Sequence, residues 1–140
     1  MTYFCPNCWK DFREDKSVCP FCGFRVKEFW ESKDMVKKLI HSLHHPDSQT
    51  SLRAVWLLGK LKAPQAVTPL ISLFGETEDI YLAKAVVIAL GRIGGSEALS
   101  FLKNQATHPV KMIRDIIKTI LGNIDSNMFK KQSFKTGGKL

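Results

Sequence analysis

The sequence predicts a mainly α fold: a short α-solenoid of three helix-turn-helix units preceded by a small N-terminal β module held together by cysteines. Three observations carry this. The theme LG-x-[LI] recurs in "LLGKL", "ALGRI" and "ILGNI" and places Gly59, Gly91 and Gly122 at intervals of 32 and 31 residues, a period that marks stacked supersecondary units. Apolar residues between these marks fall at i, i+3 and i+4, the spacing of a helix with one buried face. All four cysteines lie within the first 22 residues as two CxxC pairs. The chain therefore divides into residues 1–30, the cysteine module; 31–125, the helical units; and 126–140, a basic tail.

In the first module, "CPNC" and "CPFCG" set Cys5 with Cys8 and Cys19 with Cys22. A CxxC turn brings two sulfurs to one ion without long-range folding, and two such turns complete a tetrahedral shell. Pro6 and Pro20 fix the backbone after each leading cysteine, and Gly23 can take a positive φ where the second turn leaves the metal. Trp9 holds that place in the first turn. The ten residues between the pairs, "WKDFREDKSV", allow a short hairpin with Phe12 and Val18 as apolar contacts. A module of about 30 residues buries too little surface to fold alone, so the metal is expected to supply most of its stability.

The two knuckles resemble the zinc-ribbon family, written CPxC and CPxCG, over roughly residues 1–27. The resemblance implies one structural Zn²⁺ on Cys5, Cys8, Cys19 and Cys22. Four thiolates close the shell and leave no position for water, so no catalysis is expected at the ion. A redox dithiol and a rubredoxin-like iron site are the other chemistries open to four cysteines. Thiol exchange needs one reactive pair rather than two equal ones, and the intervening loop is short for the iron site.

In the second segment, the first helices of the three units are expected at Asp34–Leu43, Pro64–Phe74 and Ser96–Thr107, and the second at Ser48–Leu61, Ile80–Ile93 and Pro109–Ile124. Asp47 or Ser48, Thr77 and His108 are candidate caps, and Pro64 and Pro109 suit first helical positions. "AVTPLISLF" and "ALGRIGG" resemble the HEAT-like repeats of phycobilisome lyases over about residues 34–124. That resemblance implies a right-handed solenoid fragment that serves as a binding scaffold and implies no chemistry. Pro69 inside a first helix would produce a bend.

Counting back from each glycine sorts the second helices into faces. Offsets of −1, −2, −5 and −9 are apolar in every unit except for Thr50 and read as core. Offsets of −4, −7, −8 and −11 read as a solvent-facing ridge running from apolar (Leu52, Val55, Ile80, Val87) to basic (Lys84, Lys111, Arg114, Lys118). Val55, Lys84, Val87, Lys111, Arg114 and Lys118 are accordingly the candidate partner-binding residues, suited to a partner with an apolar anchor and acidic groups. In "HSLHH", His41 and His45 stand one turn apart, a spacing that can hold a metal, but a solvated helix end is the simpler reading.

A hydrophobic content of 44% with 24% charged residues is ordinary for a globular chain, and no apolar run reaches the roughly 20 residues that cross a bilayer. The start lacks a secretory pattern, which points to a reducing cytoplasm, where paired CxxC motifs hold metal rather than disulfides. Residues 1–34 hold six basic and six acidic side chains, and residues 126–140 hold four basic and none acidic. The tail, with Phe129 and Phe134 as its aromatics, is expected to be a flexible basic extension. No nucleophile motif, paired acids or phosphate-binding glycine loop is present, so an enzyme is not expected. The sequence points to a protein-interaction adaptor, with self-association possible. The alternative is nucleic-acid binding through the basic helical face and stacking by Tyr3, Phe4, Trp9 and Phe12.

Overall fold

The computed structural model describes the backbone of residues 2–137 and the side chains of residues 2–125. The chain separates after Leu58 into two compact units. The boundary expected near residue 30 is therefore not where compactness ends: the cysteine module shares its unit with the first helical pair.

Unit one opens with strands β1 (Tyr3–Phe4) and β2 (Asp11–Phe12), paired antiparallel with Tyr3 opposite Phe12 and Phe4 opposite Asp11. This hairpin encloses the first cysteine turn instead of filling the stretch between the pairs. The reason is local. Trp9 N–H donates to the Cys5 carbonyl at 2.9 Å and Cys5 N–H to the Lys10 carbonyl at 3.1 Å, which closes the turn and brings its flanks together. The second turn repeats the pattern, with Gly23 N–H on Cys19 at 3.0 Å and Cys19 N–H on Phe24 at 2.8 Å. Val18, bridged to Arg25, is 46% exposed and not the apolar contact expected, whereas Phe12 is buried with Val26 around Cys5 and Cys19.

A helix not foreseen, α1 (Val26–Glu31), follows; it is too short to show a period, yet Val26, Phe29 and Trp30 keep the i, i+3, i+4 spacing. Next comes α2 (Met35–Ser42), capped by the Asp34 carboxylate, which accepts Lys37 N–H at 2.9 Å. Then α3 (Ser48–Lys60) begins where the Asp47 carboxylate accepts the Thr50 hydroxyl at 2.7 Å and Gln49 N–H at 3.3 Å. Leu43, Ala54, Val55 and Leu58 are buried in this helical part.

Unit two starts with a 3₁₀ turn, Pro64–Ala66, leading into α4 (Val67–Glu76). The 3₁₀ turn moves the start of the α-helix to Val67, so Pro69 falls in its first turn, where a missing N–H costs nothing and no bend is required. The cap of α5 (Ile80–Ile93) is Asp79, which accepts Tyr81 N–H at 2.9 Å; Thr77 instead ends α4 and accepts Asp79 N–H at 3.1 Å. Gly94 and Gly95, at φ 71° and 91°, turn the chain into α6 (Ser96–Asn104). A second 3₁₀ turn, Gln105–Thr107, precedes α7 (Lys111–Gly137). Within the unit α5 is central and packs on α4, α6 and α7. Leu70, Val86, Leu90, Leu102, Ile113 and Ile117 are fully buried, and Phe74 meets Phe101 edge to face at 5.3 Å.

Helix α7 does not end at Ile124 but runs on to Gly137. The side chains of the expected basic tail, residues 126–140, lie outside the described residues.

The recurring glycines differ in what surrounds them. A Cβ on Gly59 would come within 2.9 Å of the Ala89 backbone, and one on Gly91 within 2.6 Å of Ile120, but one on Gly122 would meet nothing within 4 Å among the described residues. Gly59→Ala and Gly91→Ala should each destabilise the chain by about 1–3 kcal/mol through overpacking. Gly122→Ala should instead stabilise it by about 1 kcal/mol through helix propensity. Urea denaturation of the three variants checks the opposed signs.

Candidate metal centre and binding faces

Four sulfurs converge in unit one: the Sγ atoms of Cys5, Cys8, Cys19 and Cys22 all lie within 4.8 Å of one another. Cys5 and Cys22 are 3.6 Å apart, and Cys8 and Cys19 3.7 Å. A tetrahedral ion with metal–sulfur bonds of about 2.3 Å has sulfur–sulfur edges of about 3.8 Å, so two of the six edges already have the length that a four-thiolate ion needs, and none exceeds it by more than about 1 Å. Backbone donors are already aimed at the sulfurs: Asn7 N–H and Phe21 N–H each stand 3.4 Å from Cys5 and Cys19, respectively. Such donors stabilise thiolates.

The four thiols do not ionise alike by themselves. Burial pushes Cys5 up to about 12, while the N–H of Phe24 draws Cys22 down to about 6. A dication is what would hold all four as thiolates, neutralising half of their charge. The bound ion would supply a structural crosslink between the two turns and no reactive position.

Trp9 takes the place that Gly23 holds in the second turn, and it takes the same backbone conformation: φ is 59° at Trp9 and 76° at Gly23. Left-handed backbone at a bulky residue costs of order 1–3 kcal/mol. The compensation is visible on α2. The Trp9 ring stacks on His41 at 5.3 Å and meets His45 edge-on at 5.1 Å. His41 Nε2–H also donates to the Pro6 carbonyl at 2.7 Å, and its ring meets Phe29 at 4.8 Å.

This overturns the solvated reading of "HSLHH". His41 and His45 are half-buried struts between the cysteine module and α2, and among the described residues the only group placed to hold a metal is the four cysteines. Their partners are some 35 residues away in sequence, so one-turn spacing could not reveal the role. Phe21, by contrast, is 58% exposed, with Lys10 lying over its ring.

The ridge expected on the second helices needs correction at its apolar members. Val55 and Val87 are fully buried. Offsets of −8, −4 and 0 from each glycine form one row, and Gly91 at the end of that row lies against Ile120 of the next second helix. On α5 the row therefore faces a neighbour, not water, whereas on α7 its Lys118 is exposed. Of the basic members, Lys111 and Lys118 are exposed, Lys84 is half-buried, and Arg114 is half-buried with its guanidinium on the His108 and Pro109 carbonyls at 2.8 and 3.0 Å.

The face that does meet solvent lies one residue around the helix. On α5 it carries Tyr81, 73% exposed, with Lys84 and Ile88; on α7 the matching offsets carry Met112, Asp115 and Thr119. The same offset on α3 is Trp56, 50% exposed. The small residue itself was the available signal: glycine recurring at one helical position marks a close helix approach, so its row is an interface.

Two outcomes test the centre. Metal analysis of the purified chain should give one ion per chain, and Cys19→Ser should abolish it. Chelation should raise amide exchange through α2 as well as residues 2–25, because Trp9 and Pro6 anchor His41; exchange confined to the cysteine module would contradict this joint. The second outcome is a pH dependence. Burial lowers the imidazole pKa of His45 below its ordinary 6.5, against the opposing pull of Asp47, and its Nδ1 accepts Asp47 N–H at 3.0 Å. Below the unfolded value the unfolded chain binds the proton more readily, so this contribution is complete above about pH 7 and falls as the solution is acidified. The stability difference between the wild type and His45→Gln should therefore shrink from pH 7 towards pH 5, the acid sensitivity of the metal cancelling between the two.

Among the described residues no helix is long and apolar enough to cross a membrane. Comparison with known proteins finds no curated protein and no solved structure that matches the chain. Comparison with protein families matches residues 36–120, more than half of the sequence, to HEAT repeats. The regular glycine row and the paired helices that it serves are thus those of a recognised repeat, and the chain belongs to the HEAT-repeat family.

Proposed function

We propose that the protein is a non-enzymatic interaction scaffold in a reducing cytoplasm: a short α-solenoid of three HEAT-like repeats of the phycobilisome-lyase type, with a zinc ribbon as its N-terminal stiffener. HEAT repeats commonly mediate protein interactions, and the fit of four sulfurs to a closed tetrahedron supports a structural Zn²⁺.

The observation that carries the scaffold reading is the exposed face of unit two. Tyr81 stands largely in solvent beside half-exposed Ile88, with Lys84 between them on α5 and half-exposed Met112 at the matching offset to Tyr81 on α7. An aromatic anchor with aliphatic neighbours and a charged rim is the composition of an interface centre. The partner that suits it is a protein with an apolar side chain for the Tyr81–Ile88 strip and a carboxylate for Lys84.

The nucleic-acid alternative is not favoured by the placement of its aromatics, which pack within unit one or line a cavity rather than forming an open platform. Phe12 is buried, Tyr3 stacks on Phe12 at 6.0 Å, Phe4 meets His45 at 4.4 Å, and Trp9 is held by both histidines. Little or no gel retardation is expected with single-stranded DNA or RNA, even at low salt.

The direct test is affinity capture from the native cell with wild type, Tyr81→Ala and Lys84→Glu. Interface anchors of this kind contribute about 2 kcal/mol or more, so Tyr81→Ala should lower recovery of a true partner by more than tenfold. The reading fails if both variants retain the partner set of the wild type.

A further inference from the structure

A cavity of about 510 Å³ opens within unit one. Its floor is the core of the cysteine module, Phe12 and Val26, each 8% exposed. Tyr3, Trp9 and Trp30, all half-buried, form its walls. The volume lies in the range of sites that enclose a small ligand or an inserted side chain.

The opening carries charge of both signs, with the acids in excess by one once Glu14 beside Lys16 is counted. Asp15 and Glu31 border it, both exposed, and neither makes an ion pair among the described residues. Of the two lysines at the opening, Lys16 leans to Glu14 at 3.8 Å, which leaves Lys27 as the single counterweight. Aromatic faces are the negative ends of their quadrupoles, so walls and opening favour the same sign of ligand.

Elsewhere in the same unit the chain covers its aromatic faces with its own cations. Lys10 Nζ lies 5.3 Å from the Phe21 ring centre, and Lys33 Nζ 4.6 Å from that of Phe29. Among the described residues no lysine or arginine does this for Tyr3, Phe12, Trp9 or Trp30. The cavity thus has the walls and the charge of a cation site whose cation must come from outside.

The chemistry also selects the kind of cation. A metal ion or a bare ammonium is strongly hydrated, and apolar walls offer nothing to replace its water. An alkylated ammonium carries its charge on a greasy surface and gives up its water at little cost. We propose that the aromatic cavity of unit one binds a quaternary alkylammonium group, presented either by a small molecule or by a methylated lysine of another protein. This site is separate from the Tyr81 face and does not depend on it.

The test uses the metal-loaded full chain and two probes of equal shape, choline and its uncharged isostere 3,3-dimethylbutan-1-ol, followed by amide and indole chemical shifts. Choline should shift the resonances of Tyr3, Trp9 and Trp30 and bind about tenfold or more tightly than the isostere. The double variant Asp15→Asn, Glu31→Gln alters only exposed side chains; it should weaken choline severalfold, leave the isostere unchanged and retain one metal ion per chain. N-acetyl-trimethyllysine amide, run in parallel, identifies the source: tighter binding than choline assigns a protein side chain, and equal binding a small molecule. Equal affinity for choline and the isostere overturns the proposal, as does the absence of any shift at the three aromatic residues. Neither result bears on partner capture by the Tyr81 face, so the two readings stand or fall separately.

Discussion

Four sulfur atoms within 4.8 Å of one another are the constraint on which unit one depends. As thiols they would pack poorly, and as bare thiolates they would repel; with a dication they become a rigid node. What the node holds is small, with Phe12 and Val26 as its buried apolar side chains beside Cys5 and Cys19. A core of that size cannot position anything unaided. Through the first cysteine turn, however, the node sets the backbone of Pro6 and Trp9, and through these it sets the ring of His41 and the edge of His45. An ion bound by the four cysteines would thus lend order to unit one as far as α2. The aromatic cavity is a product of the same arrangement, since its walls come from the strands, the first cysteine turn and α1.

Much of the fold was legible in the sequence because its determinants are local. The bounds of α5 follow from its apolar period and flanking glycines, and agree with the structure at both ends. The grouping of the four cysteines follows from spacing alone. What was not legible depends on partners distant in the chain. Helix α1 is too short for a period to show and exists because Val26, Phe29 and Trp30 have an apolar module to lie on. The histidines of "HSLHH" look like a frayed end until a carbonyl and an indole arrive from the cysteine module. Pro69 looks like a break until a 3₁₀ turn shifts the start of the helix.

The binding face shows how a correct period can still be read one step out of phase. Neighbouring residues on a helix are about 100° apart, so moving from an offset of −4 to −3 exchanges a helix–helix contact for a solvent face. Val87 and Ile88 sit on either side of that divide, the first fully buried and the second half-exposed. Both are β-branched aliphatics, and composition cannot tell them apart. Only the place of the glycine does, because a residue without a side chain is where backbones come together.

That glycine row has a consequence at its last member for how separate molecules behave in solution. Among the described residues Gly122 is open, with no atom within 4 Å of where its Cβ would be, so none of them fills there the seat filled by Ala89 at Gly59 and by Ile120 at Gly91. A vacant copy of an internal seam is a head-to-tail contact that does not close on itself, the geometry from which filaments grow. In the same row, where the preceding helix has Ala83 and Val87, α7 has Arg114 and Lys118. Stripping water from those two charges would oppose the docking of a copy at that seat.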